Sequence, residues 1–129
     1  DGMKRMLDGV RAEFAGTRLA KRVGKGDEAP SSFHPVVRTH PETGRKALYV
    51  GNPGDTMRRF QDMTAEESLP LIEYLYEHSP SPDRTYRHRW TEGDVVMWDN
   101  RCTMHYAVHD YGEQRRMLHR ISIAGDAPR

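Results

Sequence analysis

Seven histidines, His34, His40, His78, His88, His105, His109 and His119, are the first residues here with types suited to chemistry. An imidazole met alone is usually an ordinary hydrogen-bonding group, so residue type ranks none of them. Context singles out His105. It lies on a strand-like stretch, Cys102 to Ala107, that runs through a short loop into a second one, Arg115 to Ile123. A hairpin of that length would set residues near Arg116 beside His105 on the neighbouring strand. In the returning stretch Arg116, Leu118, Arg120 and Ser122 share one face, because strand side chains alternate with a period of two. Arg116 and Arg120 would then stand about 13 Å apart at ~3.3 Å per residue. The other face, Met117, His119, Ile121 and Ile123, is mostly apolar.

Two readings of the arginine pair follow from the residues alone. On a solvated face the guanidinium groups would make surface ion pairs and little else. Inside a barrel they must find an anion, because a buried unpaired charge is very costly. The planar fork of arginine suits a carboxylate or sulfonate, so a buried pair near a histidine would imply an acidic small-molecule ligand.

Composition narrows the setting. The 129 residues suffice for one domain and are too few for two ordinary ones. Twenty Lys and Arg nearly cancel nineteen Asp and Glu, leaving a net charge of +1 and a pI near 8.1, without the basic excess of a nucleic-acid binder. No apolar run approaches a membrane span, and no signal peptide is visible. The lone Cys102 has no internal disulfide partner, which fits a reducing cytoplasm. A mean hydropathy of −0.88 with 36% hydrophobic residues is polar for a self-contained globule, and suggests part of a larger one.

The elements that must position these residues follow from periodicity. Met3, Met6, Leu7, Val10 and Phe14 recur at helical spacing and predict an opening helix that stops near Gly16. Residues Thr17 to Ser32, charged and bearing Gly24, Gly26 and Pro30, predict a mobile surface loop. Phe33 to Arg38 and Lys46 to Val50 predict antiparallel strands around the Pro- and Gly-bearing turn Thr39 to Arg45, followed by a loop over Gly51 to Asp55. Thr64 and Glu67 form a capping box ahead of the helical stripe Leu69, Ile72, Leu75 and Tyr76, which Ser79-Pro80-Ser81-Pro82 ends. Pro70 costs that helix a backbone bond and argues for a later start. Thr85 to Trp90, Asp94 to Asp99, Cys102 to Ala107 and Arg115 to Ile123 predict an antiparallel series. The fold class is therefore mostly β, a sandwich or jelly roll with few helices.

Several of these stretches together carry a resemblance. Met97-Trp98-Asp99-Asn100-Arg101, then His105, then Gln114-Arg115-Arg116 and His119-Arg120, resemble the C-terminal signature of the taurine/phenoxyacetate dioxygenase family. His34-Pro35-Val36-Val37-Arg38-Thr39-His40-Pro41-Glu42-Thr43-Gly44-Arg45-Lys46, Tyr86 to Trp90 and Gly93-Asp94 resemble it as well, so the likeness runs from Ser32 to Arg129. Members are Fe(II)- and α-ketoglutarate-dependent oxygenases on a double-stranded β-helix, or jelly roll. The resemblance implies that residues 1–129 are the C-terminal part of one oxygenase domain, an incomplete barrel with flanking helices. His105 resembles the distal iron-ligand histidine, Arg116 the arginine that pairs with the far carboxylate of α-ketoglutarate, and Arg120 the arginine that reads the acid group of the substrate. Tyr49 falls where the family places an aromatic residue near the substrate. Trp98 resembles a tryptophan close to the metal, while Asp99 and Asn100 shape the strand end.

One departure matters. The family holds iron with two histidines and a carboxylate, the first two ligands arriving as His-x-Asp. This chain has no His-x-Asp; its near match, His40-Pro41-Glu42, lies in the turn and reads as a turn. The remaining ligands would belong to an upstream part of a longer enzyme, and this segment alone would be inactive. The expected reaction hydroxylates a small acidic organic substrate, a sulfonate such as taurine or an aryloxyacetate, with O2, giving succinate and CO2. No nucleic acid or membrane partner is expected, a homo-oligomer is, and the location is cytoplasmic. A noncatalytic jelly-roll module binding a small acid or sugar, or an inactive fragment, are the alternatives; an upstream His-x-Asp separates them from the enzyme.

Overall fold

The computed structural model describes residues 1–16, 20, 24 and 29–125. Among these, strands outnumber α-helices five to two: α1 (Gly2–Leu7), β1 (Arg11–Ala15), β2 (Ser31–Pro35), β3 (Val37–Thr39), β4 (Lys46–Leu48), β5 (Met57–Phe60) and α2 (Ala65–His78), with a single 3₁₀ turn at Pro82–Arg84. A three-stranded antiparallel sheet runs β2-β1-β5, and β3 pairs with β4 in a second, two-stranded sheet. No helix of the described residues is long and apolar enough to cross a membrane. Most of the expected mobile loop, residues 17–28 apart from 20 and 24, lies outside the described residues, while its last two members, Ser31 and Ser32, open β2.

The opening helix is shorter than its periodicity predicts. It ends at Leu7, and Gly9 follows with φ of +78°, a left-handed conformation open to glycine at little cost. Val10 and Phe14 then reach the core from the strand side. Their spacing of four is even, so it puts them on one face of a strand as readily as on one face of a helix.

The single strand expected over Phe33 to Arg38 serves two sheets. Pro35 has no N–H to give a ladder, and the chain breaks there. Val36 donates to the Val10 carbonyl at 2.9 Å and accepts from the Tyr49 N–H at 2.7 Å, so it ties the two sheets together at the break. The turn after β3 closes antiparallel onto β4 with Val37 opposite Leu48 and Arg38 opposite Ala47, as the Pro and Gly signals predict. Beyond β4, Gly51 lies so close to Thr56 that an added Cβ would sit 2.7 Å from the Thr56 Oγ1. Glycine is required there, and the loop it permits leads into β5, a strand that no alternation announced.

α2 begins at Ala65, directly after the Thr64–Glu67 capping box, so Pro70 lies inside it and does not delay its start. The lost bond is offset by burial of Ile72 and Leu75 against Met57 and Phe60. Ser68 fixes the contact: its buried hydroxyl accepts from the Phe60 N–H at 3.0 Å and donates to the Thr64 carbonyl at 2.7 Å. Leu7, Ala12, Val36 and Val50 complete this core.

The antiparallel series expected over the last third does not form among the described residues: 85–125 carries no ladder. The alternation is still visible as exposed apolar side chains, with Val95, Met97, Tyr106, Ile121 and Ile123 between 82% and 91% exposed. A strand needs a partner for its backbone groups, and no described residue supplies one to this segment.

Candidate functional site

The site is built where β4 meets the turn that follows Trp98. Leu48, Tyr49 and Val50 face residues 100–104 across a shallow recess. Asp99 makes that turn: its carboxylate accepts from the Arg101 N–H at 2.8 Å, and its carbonyl accepts from the Cys102 and Thr103 N–H groups at 3.3 and 3.1 Å. The Asp99 carboxylate also takes the Arg101 guanidinium, with contacts from 2.6 to 3.0 Å.

The far side of Arg101 reaches the β3–β4 turn, where its two terminal nitrogens each donate to a Glu42 carboxylate oxygen at 3.0 Å. His40 closes the circuit. Its Nδ1 accepts from the Glu42 and Thr43 N–H groups, both at 3.3 Å, so Nε2 carries the proton and donates to Asp99 at 3.1 Å. Hydrogen bonds from Arg101 hold the Asp99 and Glu42 carboxyls below their ordinary range, and the two carboxylates raise Arg101 in turn.

Both carboxylates are therefore stabilising above their ordinary pKa near 4, and that contribution is lost as pH falls through their depressed values. In an Arg101→Gln variant the two carboxyl titrations, followed by carbon NMR, are expected to move up into the ordinary range. Midpoints unchanged from the parent would show that Arg101 does not set them.

His40, Asp99 and Cys102 place three ligand-type atoms within 4.8 Å of one another. The guanidinium of Arg101 already occupies the Asp99 oxygens, and both His40 nitrogens are committed, so this cluster is a knot that ties one turn to another. The turn reading of His40-Pro41-Glu42 agrees with this geometry.

His105 stands differently. It is exposed, its ring lies 5.0 Å from that of Trp98, and neither nitrogen is hydrogen-bonded among the described residues. Trp98 is held in turn by its Nε1, which donates to Asn100 Oδ1 at 2.9 Å. An exposed imidazole with no hydrogen bond among the described residues could donate a nitrogen to a metal ion.

The expected hairpin does not bring the arginines to it. Arg116 lies with its guanidinium carbon 5.4 Å from the Tyr111 ring centre, and Arg120 is exposed. No hydrogen bond, ion pair or ring contact among the described residues joins either to His105.

Tyr49 is in richer company. It packs 4.9 Å from Phe14 and edge-on to His34 at 6.3 Å, and the Arg38 guanidinium carbon sits 4.8 Å above its ring. Burial lowers the His34 pKa, and the Arg38 and Arg11 charges lower it further, which favours the neutral ring. Sequence reasoning passed over Arg38; the available signal was an arginine at an inward position of a short strand, two residues after the buried Val36.

Comparison with known proteins shows the family. The model of the family described as taurine catabolism dioxygenase TauD, TfdA family matches residues 1–122. An alkylsulfatase of Acinetobacter baylyi is 47% identical over 93 residues, which are 72% of this chain and 28% of the relative. An α-ketoglutarate-dependent sulfate ester dioxygenase of Pseudomonas putida is 43% identical over 95 residues, 74% of this chain and 31% of the relative. A crystal structure of a taurine dioxygenase from Burkholderia xenovorans superposes with a TM-score of 0.58 and 32% identity over 71% of this chain and 30% of its own. The chain thus spans about a third of the length of the curated relatives it matches.

Proposed function

Because the chain belongs to the taurine catabolism dioxygenase TauD, TfdA family, we propose that it is the C-terminal part of an Fe(II)- and α-ketoglutarate-dependent dioxygenase acting on a small organic acid. The observation that supports this best is His105, an imidazole whose nitrogens make no hydrogen bond among the described residues, set against Trp98 at the end of the turn whose residues 100–104 line the recess with Tyr49. The substrate we assign is a sulfonate or sulfate ester. Over the matched stretches the alkylsulfatase and the sulfate ester dioxygenase are 47% and 43% identical to this chain, against 34% for a 2,4-dichlorophenoxyacetate dioxygenase of Cupriavidus pinatubonensis.

In this reading the alternating, exposed segment 85–125 supplies strands of a jelly roll. Their ladder partners belong to the two thirds of the relatives' length that this chain does not span. Pairing there would cover Val95, Met97, Ile121 and Ile123 and would bring Arg116 and Arg120 into line with His105.

Each residue then has a distinct task. His105 supplies one neutral imidazole to the iron, and the second histidine and the carboxylate come from outside residues 1–129. Arg116 pairs with the far carboxylate of α-ketoglutarate, so the cosubstrate is held by its non-reacting end in one orientation. Arg120 takes the substrate acid, and Tyr49 with Phe14 offers an apolar wall for its carbon chain. Bound iron and cosubstrate supply the oxidation: O2 hydroxylates the substrate while α-ketoglutarate becomes succinate and CO2. Hydroxylation of the carbon bearing a sulfonate would release sulfite, and of the carbon bearing a sulfate ester would release sulfate.

The full-length protein tests this under anaerobic conditions. Fe(II) and α-ketoglutarate together are expected to give a weak visible charge-transfer band, and admission of oxygen with an alkyl sulfate to give succinate. In an Arg116→Met variant the α-ketoglutarate concentration needed for half-saturation is expected to rise roughly 100-fold or more, the loss of a charge-assisted bidentate contact. The absence of any band in the parent would overturn the dioxygenase reading, and an unchanged requirement in the variant would overturn the role of Arg116.

A further inference from the structure

The most unusual charged side chain outside the assigned set is Arg38. It is only 8% exposed, yet among the described residues it makes no ion pair and no hydrogen bond, and its one marked contact is the Tyr49 ring. Arginine is rarely buried without a partner. The carboxylate of the adjoining sheet is already committed, since Glu13 pairs with Arg59 at 2.8 Å. Arg11 and His34, the charged and titratable groups whose fields meet here, add no negative charge.

The strand register explains how Arg38 arrives on Tyr49. Arg38 lies directly opposite Ala47, and Ala47 shares a face with Tyr49 two residues on. Arg38 and Tyr49 are therefore diagonal neighbours, a separation that a long side chain spans. Stacking on the ring fixes the guanidinium plane and buries its stem. No fully buried nitrogen among the described residues lacks a hydrogen-bond partner, so the N–H groups of this fork still reach open space. A guanidinium set on the Tyr49 ring, with a free N–H edge and no carboxylate partner among the described residues, is built to take an anion joined to a hydrocarbon.

We propose that Arg38 is a second anion-binding arginine, and that it holds oxygen atoms of the sulfonate or sulfate group of a substrate whose carbon chain lies on Tyr49 and Phe14. This rests on the dioxygenase reading for the identity of the substrate. A single fork satisfies both oxygens of a carboxylate, whereas a sulfur oxyacid has three terminal oxygens and can engage a second arginine beside Arg120. Arg38 thereby selects sulfur oxyacids over carboxylates.

Calorimetric titration of the full-length protein with hexanesulfonate, with the uncharged methyl sulfone of the same chain, and with α-ketoglutarate tests this. Hydrogen bonds to a charged group contribute about 1.5–3 kcal/mol. Arg38→Met is therefore expected to weaken hexanesulfonate binding by roughly 10- to 100-fold, while binding of the sulfone and of α-ketoglutarate changes by less than about twofold. Arg38→Lys, which keeps the charge and loses the fork, is expected to restore part of the affinity and serves alone if the methionine variant does not fold. Hexanesulfonate binding unchanged in both variants would overturn the proposal. Equal loss of sulfonate and sulfone would overturn it too, because the arginine would then merely support Tyr49. A loss confined to α-ketoglutarate would place Arg38 with the cosubstrate and likewise end it. Because calorimetry needs no charge-transfer band, failure of the dioxygenase reading would be seen separately, as a parent protein that binds the sulfonate and gives no band.

Discussion

Replacement of His105 by alanine is expected to abolish α-ketoglutarate-dependent turnover of the full-length protein and to lower its Fe(II) affinity by more than about 100-fold. Loss of a group that merely orients a ligand typically costs 10- to 100-fold in metal affinity or activity, so loss of a ligand should exceed that range. The informative control is His40→Ala. His40 belongs to the three-residue group that outwardly looks more like a metal centre, with Asp99 and Cys102 within 4.8 Å. Its nitrogens are spent on the β3–β4 turn and on Asp99, so this variant should keep its iron affinity and lose only the tie between the two turns. Anaerobic Fe(II) titration of both variants, read by the visible band, decides between them. Strong iron binding retained in His105→Ala and lost in His40→Ala would reverse the assignment.

The second large effect concerns stability. Phe60 is 1% exposed, packs in the core with Met57, Ile72 and Leu75, and donates its N–H to Ser68. Phe60→Ala is expected to destabilise by about 3–5 kcal/mol, the usual cost of emptying a buried aromatic position. Set against a typical stability of about 5–15 kcal/mol, this is a large share of the total. Denaturant unfolding should show the midpoint falling with little change in slope. A shift below about 1 kcal/mol would mean that β5 and α2 are not packed on one core. The consequence for function is indirect but real, because β1 carries Phe14 into the wall beside Tyr49.

The sequence by itself determined the parts whose cause is local. The Thr64–Glu67 box starts α2 because two side chains and two N–H groups, all within four residues, satisfy one another. The Pro- and Gly-bearing stretch Thr39 to Arg45 turns the chain wherever it is placed, and β3 and β4 pair across it. Family membership was legible for a related reason: Trp98 to Arg101, His105, Arg116 and Arg120 form an ordered set of types and spacings that needs no coordinates to be recognised.

What tertiary structure alone decided depends on partners far away in the chain. Phe14 sits on a strand, with Val10 just before it, because β2 and β5 flank that strand, a circumstance that a spacing of four cannot reveal. Alternation over Thr85 to Ile123 predicted strands, but alternation states only which face would be buried. A ladder requires a neighbour, and the described residues provide none. Arg101 meets Glu42, and His40 meets Asp99, each across 59 positions of sequence, and Arg38 meets Tyr49 only through the register of a hairpin. Side-chain type fixes what a residue can bind. Which of its possible partners it meets is set by where the backbone carries each of them, and that is a property of the whole chain.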